Sequence, residues 1–176
     1  MAQTTTQKQY SLDSLSNLDT DTLESIYRSG NVPQDISVLN GRPKGRMLSV
    51  RYTDNTPAFD ALKFVSSANF FPWDGKSFFP LSAQNGRGIN RIKVLTSSFD
   101  WFPFETKVVN SVIDYKPCIL LDYDQPENPW FITMIRDEIR EVSPKLFMGP
   151  AMWKDGNGGA TLVLWFAVDF NTPSDL

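Results

Sequence analysis

The chain has 176 residues with 17 Lys and Arg against 20 Asp and Glu, a net charge of −3, and carries 13 Phe, 5 Trp and 5 Tyr. That length fits one domain with one sizeable core, and a near-neutral balance without a run of Lys or Arg argues against nucleic acid as a partner. With no histidine and a single cysteine, the chain excludes Ser-His-Asp and Cys-His catalysis, His-ligated zinc, a proximal His to haem and any internal disulfide.

The N-terminal MAQTTTQKQYSLDS is polar and lacks an apolar signal core, and no later run reaches the length of a membrane span. The expectation is a soluble, cytoplasmic protein with a flexible arm over 1–18 and a single β-barrel domain over 19–176. A short helix opens the domain: Asp21 and Glu24 have capping-box spacing, Leu23, Ile26 and Tyr27 share a face, and Gly30 suits the stop. Pro33, Gly41, Pro43 and Gly45 break the next stretch into loop. RMLSVRY then alternates Met47, Ser49 and Arg51 against Leu48, Val50 and Tyr52, the pattern of a first barrel strand. Pro57 at a first helical position, followed by Phe59, Leu62 and Val65, predicts a second helix.

Asp74-Gly75 within WDGKSF predicts a turn at a barrel rim, leading into a strand over Ser77 to Leu81. Gly86-Arg87-Gly88 matches no phosphate-loop pattern. Beyond it Ile89, Arg91 and Lys93 alternate with Asn90, Ile92 and Val94, a strand with one mostly charged face, and FPFETKVVNSVIDYKP supplies another strand or two. Cys118 opens the apolar run CILL, where a thiol behaves as a small hydrophobe with no basic neighbour in the strand to activate it. CILLDYD, LFMGPAMW and ATLVLWFAVDF read as strands joined by a Pro-rich loop and a DGNGG turn.

IRDEIREV fits two periods. Ile132, Ile135, Ile139 and Val142 make a helical stripe, whereas Pro129 and Pro144 bracket the run and Ile135, Asp137, Ile139 and Glu141 alternate with Arg136, Glu138, Arg140 and Val142. The strand reading continues the meander and is preferred. It puts Arg136, Glu138 and Arg140 on one face, a candidate for the barrel interior. There the three either form a salt-bridge network or leave two guanidinium groups to hold a ligand carboxylate.

Eight or nine strands, one or two short helices and no βαβ repeat predict a mainly β protein, an antiparallel barrel whose closure removes exposed edges. GRPKGRML, WDGKSF, GINR, LDYDQPENPW, IRDEIREVSPKLFMGPAMW and LVLWFAVDF together resemble a family of small calycin or lipocalin-like proteins over Leu23 to Phe170. The resemblance implies a cavity for a small, largely apolar ligand. A nitrobindin-like haem role does not carry over without a histidine.

Two functions of different class follow. One is binding of a small hydrophobic molecule, with a carboxylate as a candidate polar end, by Arg136, Glu138 and Arg140 with Phe147 and Trp165 as apolar lining. The other is a cofactor-free cyclase or isomerase in the same cavity, with Asp137, Glu138, Glu141 and Tyr123 as candidate acid–base groups. An interaction scaffold anchored by Trp130 and Trp153 is a third. No metal and no cofactor is expected, and the catalytic residues and the oligomeric state stay open.

Overall fold

A computed structural model describes residues 9–50, 73–94 and 96–174. Eight antiparallel strands follow one another around a closed barrel: β1 Pro43–Val50, β2 Trp73–Pro80, β3 Asn85–Val94, β4 Ser97–Asn110, β5 Pro117–Asp122, β6 Ile135–Ser143, β7 Leu146–Lys154 and β8 Ala160–Pro173. Every strand pairs with its sequence neighbour, and β8 closes on β1. This is the mainly β antiparallel barrel expected from the alternating runs. IRDEIREV is strand, not helix, and the helix preceding it is a single turn, Trp130–Thr133, which starts at the last residue of the Pro-rich loop QPENPW.

Two helices cover part of the outside of the barrel: α1, Leu12–Ser16, and α2, Thr20–Ser29. The cap of α2 is Asp19, whose side chain accepts from the Thr22 N–H, in place of the expected Asp21. Leu23, Ile26 and Tyr27 form its buried face and Gly30 ends it, as their spacing suggests. The stretch 1–18, expected as an arm, includes α1, capped by Ser11 and packed through Leu12 and the fully buried Leu15. These helices lie over Cys118, Val142, Leu146, Met148, Trp165 and Ala167, residues that point outward from the sheet. The helix expected from Pro57 lies outside the described residues.

The other side of the sheet builds the barrel interior. Phe78, Phe104, Ile119, Leu121, Tyr123, Ile139, Phe147, Phe166 and Val168 meet there, and Ile36 and Leu39 beside the 3-10 turn Ile36–Val38 join the same cluster. Phe78 packs on Phe104 and Phe170 at 5.5 Å between centroids, and Phe147 on Phe170 at 5.7 Å. Aromatic rings thus fill this part of the barrel, giving a specific tight packing.

The weakest seam is β1 to β2, where the strands pair at Lys44 and Gly75 with an isolated bridge from Gly41 to Phe78. Asp74-Gly75 is therefore no rim turn. It belongs to β2, where Gly75 takes φ +124° at a bulge, and a Cβ at Gly45 would lie 2.4 Å from the Gly75 Cα. The bulge lets the two backbones cross closely. Arg91, expected on a charged strand face, is completely buried at the seam. Its guanidinium donates to the carbonyls of Lys76 (2.5 Å), Pro43 (2.7 Å) and Asp74 (3.2 Å), taking the place of the ladder bonds the crossing omits.

Candidate functional site

Strand β6 presents its charges to two different environments. Alternation sends Ile135, Asp137 and Ile139 inward and Arg136, Glu138 and Arg140 outward, beneath α2. The face that was a candidate for the interior is therefore the outer one. A helix layer covers that outer face, so Glu138 and Arg140 are buried, and Arg136 partly so, without facing the barrel lumen.

Under the helix the Glu138 and Arg140 charges are fully paired. Glu138, fully buried, receives Tyr27 Oη at 2.8 Å, Ser111 Oγ at 2.5 Å, the Val112 N–H at 3.1 Å and Arg136 Nε at 2.8 Å. Arg140 holds Asp114 with two parallel hydrogen bonds of 2.8 and 2.7 Å and donates to the carbonyls of Pro117 (2.8 Å), Tyr27 (3.2 Å) and Lys116 (3.0 Å). A guanidinium has five N–H groups, so Arg140 has none to spare. Its plane also sits 4.4 Å from the centroid of Tyr27. Those hydrogen bonds hold the Asp114 carboxyl below the usual carboxylate range, while burial, with Glu138 nearby, pushes the Tyr27 phenol well above its ordinary value. Trp165 belongs to this outer layer, 5.6 Å from Tyr27. Phe147 is inside, in the filled aromatic region.

A cavity of ≈ 130 Å³ lies beside this aromatic packing. Its wall is made by Met47, Trp73, Ile92, Phe102, Ile132, Ile135, Ala151, Leu164 and Phe166, with Lys76, Asn90, Tyr123 and Asp137 as its polar members. Among the described residues it meets the surface at Met47, which is 45 % exposed. β1 ends and β2 begins on this side, at Val50 and Trp73.

The polar members form one cluster at the inner end of the cavity. Lys76 Nζ donates to Tyr123 Oη at 2.5 Å, Asn90 Oδ1 at 2.8 Å and Asp137 Oδ2 at 3.0 Å. Tyr123 Oη in turn donates to Asp137 Oδ2 at 3.0 Å, and Asn90 Nδ2 donates to Tyr123 Oη at 3.1 Å. Rings of Phe166, Trp73, Tyr123 and Phe104 surround the ammonium at 5.0, 5.3, 5.3 and 5.4 Å. Burial pushes the Lys76 pKa down against the pull of Asp137, and burial beside Asp137 pushes the Tyr123 phenol up. Pairing and ring faces together allow a charge here.

The structure thus joins two of the expected acid–base candidates, Tyr123 and Asp137, and separates the others: Glu138 lies under α2, and Glu141 accepts the Lys145 N–H at an exposed turn. Lys76 and Asn90 escaped the sequence reading. A lone lysine two residues before Phe78 and three after Trp73, on a strand otherwise aromatic on that side, was the signal that could have found it.

Comparison with known proteins adds the fold alone. No known family matches the chain, and no curated protein does either. Among solved structures, a protein from Thermomonospora curvata is similar with a TM-score of 0.50 and 15 % identity, over 86 % of this chain and 87 % of that one. Its description names no activity. The likeness is one of fold.

Proposed function

We propose that this barrel is a calycin-like binding protein that holds one small, largely hydrophobic molecule in the cavity, its polar end against Lys76, Asp137, Tyr123 and Asn90. One observation carries the reading: an interior half filled by aromatic packing keeps beside it an apolar-walled space ending on a fully buried ion pair. Buried charge is costly to maintain, and a few convergent polar groups in an apolar concavity are the ordinary make-up of a small-molecule site. The calycin-like resemblance of the sequence points to the same kind of cargo.

Native mass spectrometry tests it directly. The purified protein is expected to carry a mass increment that disappears on denaturation, and Ala151→Leu, which adds bulk beside Asp137 in the strand register, is expected to lose it. A wild-type protein that carries no increment and also fails to bind p-xylene in a titration removes the reading.

The cyclase or isomerase alternative is favoured by one contact, the Tyr123 Oη to Asp137 Oδ2 hydrogen bond at the cavity end. A carboxylate and a phenol in contact can accept and return one proton. Deuterium exchange at the α-carbon of cyclohexanone, followed by NMR, should then run faster with the wild type than with Asp137→Asn; equal rates would exclude it.

A further inference from the structure

Among the described residues, three buried side-chain polar atoms lack a hydrogen-bond partner: Asn128 Oδ1, Trp165 Nε1 and Asp137 Oδ1. Asn128 and Trp165 do not line the cavity, and Asp137 does. Its residue is 3 % exposed, and while Oδ2 receives both Lys76 and Tyr123, Oδ1 receives nothing. A buried carboxylate oxygen without a donor is unfavourable unless something else completes it. The cavity is the space from which that completion can come.

From this we infer that the molecule in the cavity is a compact neutral alcohol or phenol whose hydroxyl donates to Asp137 Oδ1. The inference rests on the binding reading above and sharpens it. Each neighbouring group excludes another ligand chemistry. An ammonium has three N–H donors, and those of Lys76 are engaged by Tyr123, Asn90 and Asp137, so none remains for a carboxylate. A ligand carboxylate would also face the Asp137 carboxylate, a like charge in a poorly solvated space. A ligand amine would arrive as a second cation beside Lys76, which already lies 3.0 Å from the same carboxylate. A hydroxyl carries no charge and supplies the one thing Oδ1 lacks.

Size and wall chemistry set the remainder of the molecule. An apolar cavity of about 150 Å³ accommodates benzene, so ≈ 130 Å³ is on the scale of one six-membered ring. Ile92, Ile132, Ile135, Ala151 and Leu164 offer it hydrocarbon and no hydrogen bonds.

The test is a calorimetric titration of the full chain with p-cresol, p-xylene and benzoate, repeated on Lys76→Met/Asp137→Leu, which removes both charges at once and leaves neither buried alone. In the wild type p-cresol is expected to bind at least tenfold more tightly than p-xylene, with benzoate weakest. In the double variant the preference for p-cresol should vanish while p-xylene still binds. Asp137→Asn, which retains the side-chain shape, should show an intermediate preference. Equal affinity for p-cresol and p-xylene in the wild type, the result of a water permanently seated on Oδ1, overturns the inference and leaves the binding reading standing. Tighter binding of benzoate, or a preference that survives in the double variant, also overturns it. Failure of all three probes to bind, together with the absence of a co-purified mass increment, would remove the binding reading itself.

Discussion

Asp137 and Glu138 are adjacent in sequence and both buried, yet they belong to unlike charge clusters on opposite sides of one strand. Under α2, Glu138 has four donors and Arg140 spends every N–H, two on Asp114 and three on backbone carbonyls. Inside the barrel, Lys76 is equally saturated, but among the described residues its carboxylate partner keeps one oxygen unpaired and lines the cavity. The outer cluster is closed and ties helix, loop and sheet together. The inner one leaves Asp137 Oδ1 without a donor among the described residues. Burial and charge alone do not tell these apart; the census of hydrogen bonds does.

Mutagenesis of the ion pairs breaks the comparison most sharply. Arg140→Met leaves Asp114 buried without its partner and is expected to cost about 3–5 kcal/mol in chemical denaturation. Removing both members should then separate the clusters. Arg140→Met/Asp114→Leu stays destabilised, because the Pro117 carbonyl loses the Arg140 donor at about 1–3 kcal/mol if it stays dry, while the Tyr27 and Lys116 carbonyls keep the N–H groups of Gly30 and Ser111. Lys76→Met/Asp137→Leu should lie near wild-type stability, since only the neutral Asn90 and Tyr123 lose a partner. Equal destabilisation of the two double variants would erase the distinction between a structural and a binding cluster.

Acid sharpens it next. Asp114 is ionised in the fold to lower pH than in the unfolded chain, so its contribution is complete above the unfolded value and is lost as pH falls through the folded one. Below about pH 4, set by the ordinary carboxylate pKa, the stability gap between wild type and Asp114→Asn should narrow progressively. A gap that stays constant down to pH 2 would mean that Arg140 does not hold this carboxylate in solution.

The smallest expected effect concerns Cys118, which is completely buried in the outer layer with its thiol pushed up to about 12 by burial and by Glu138. The native protein at pH 8 should resist a thiol reagent such as iodoacetamide, and alkylation should follow only on unfolding. Rapid alkylation of the native chain would show that the helix layer opens readily.

Period-two alternation was legible from Met47, from Ile89 to Val94 and from Ile135 to Val142, and with turn residues between the runs it pointed to an antiparallel barrel. Absence of histidine likewise set limits on the chemistry at once. Alternation says which residues share a face but not which face is inside. On β6 both faces carry charge, so the choice fell to packing: Ile135 and Ile139 join the interior, and Tyr27 of α2 covers the Glu138 and Arg140 side. The site was harder still to see, because Lys76, Asn90, Tyr123 and Asp137 lie on or beside four different strands and meet only when the barrel closes. Strand alternation is a local property of the chain, whereas the pairing of a buried charge is decided by whatever the closed sheet brings within about 3 Å of it.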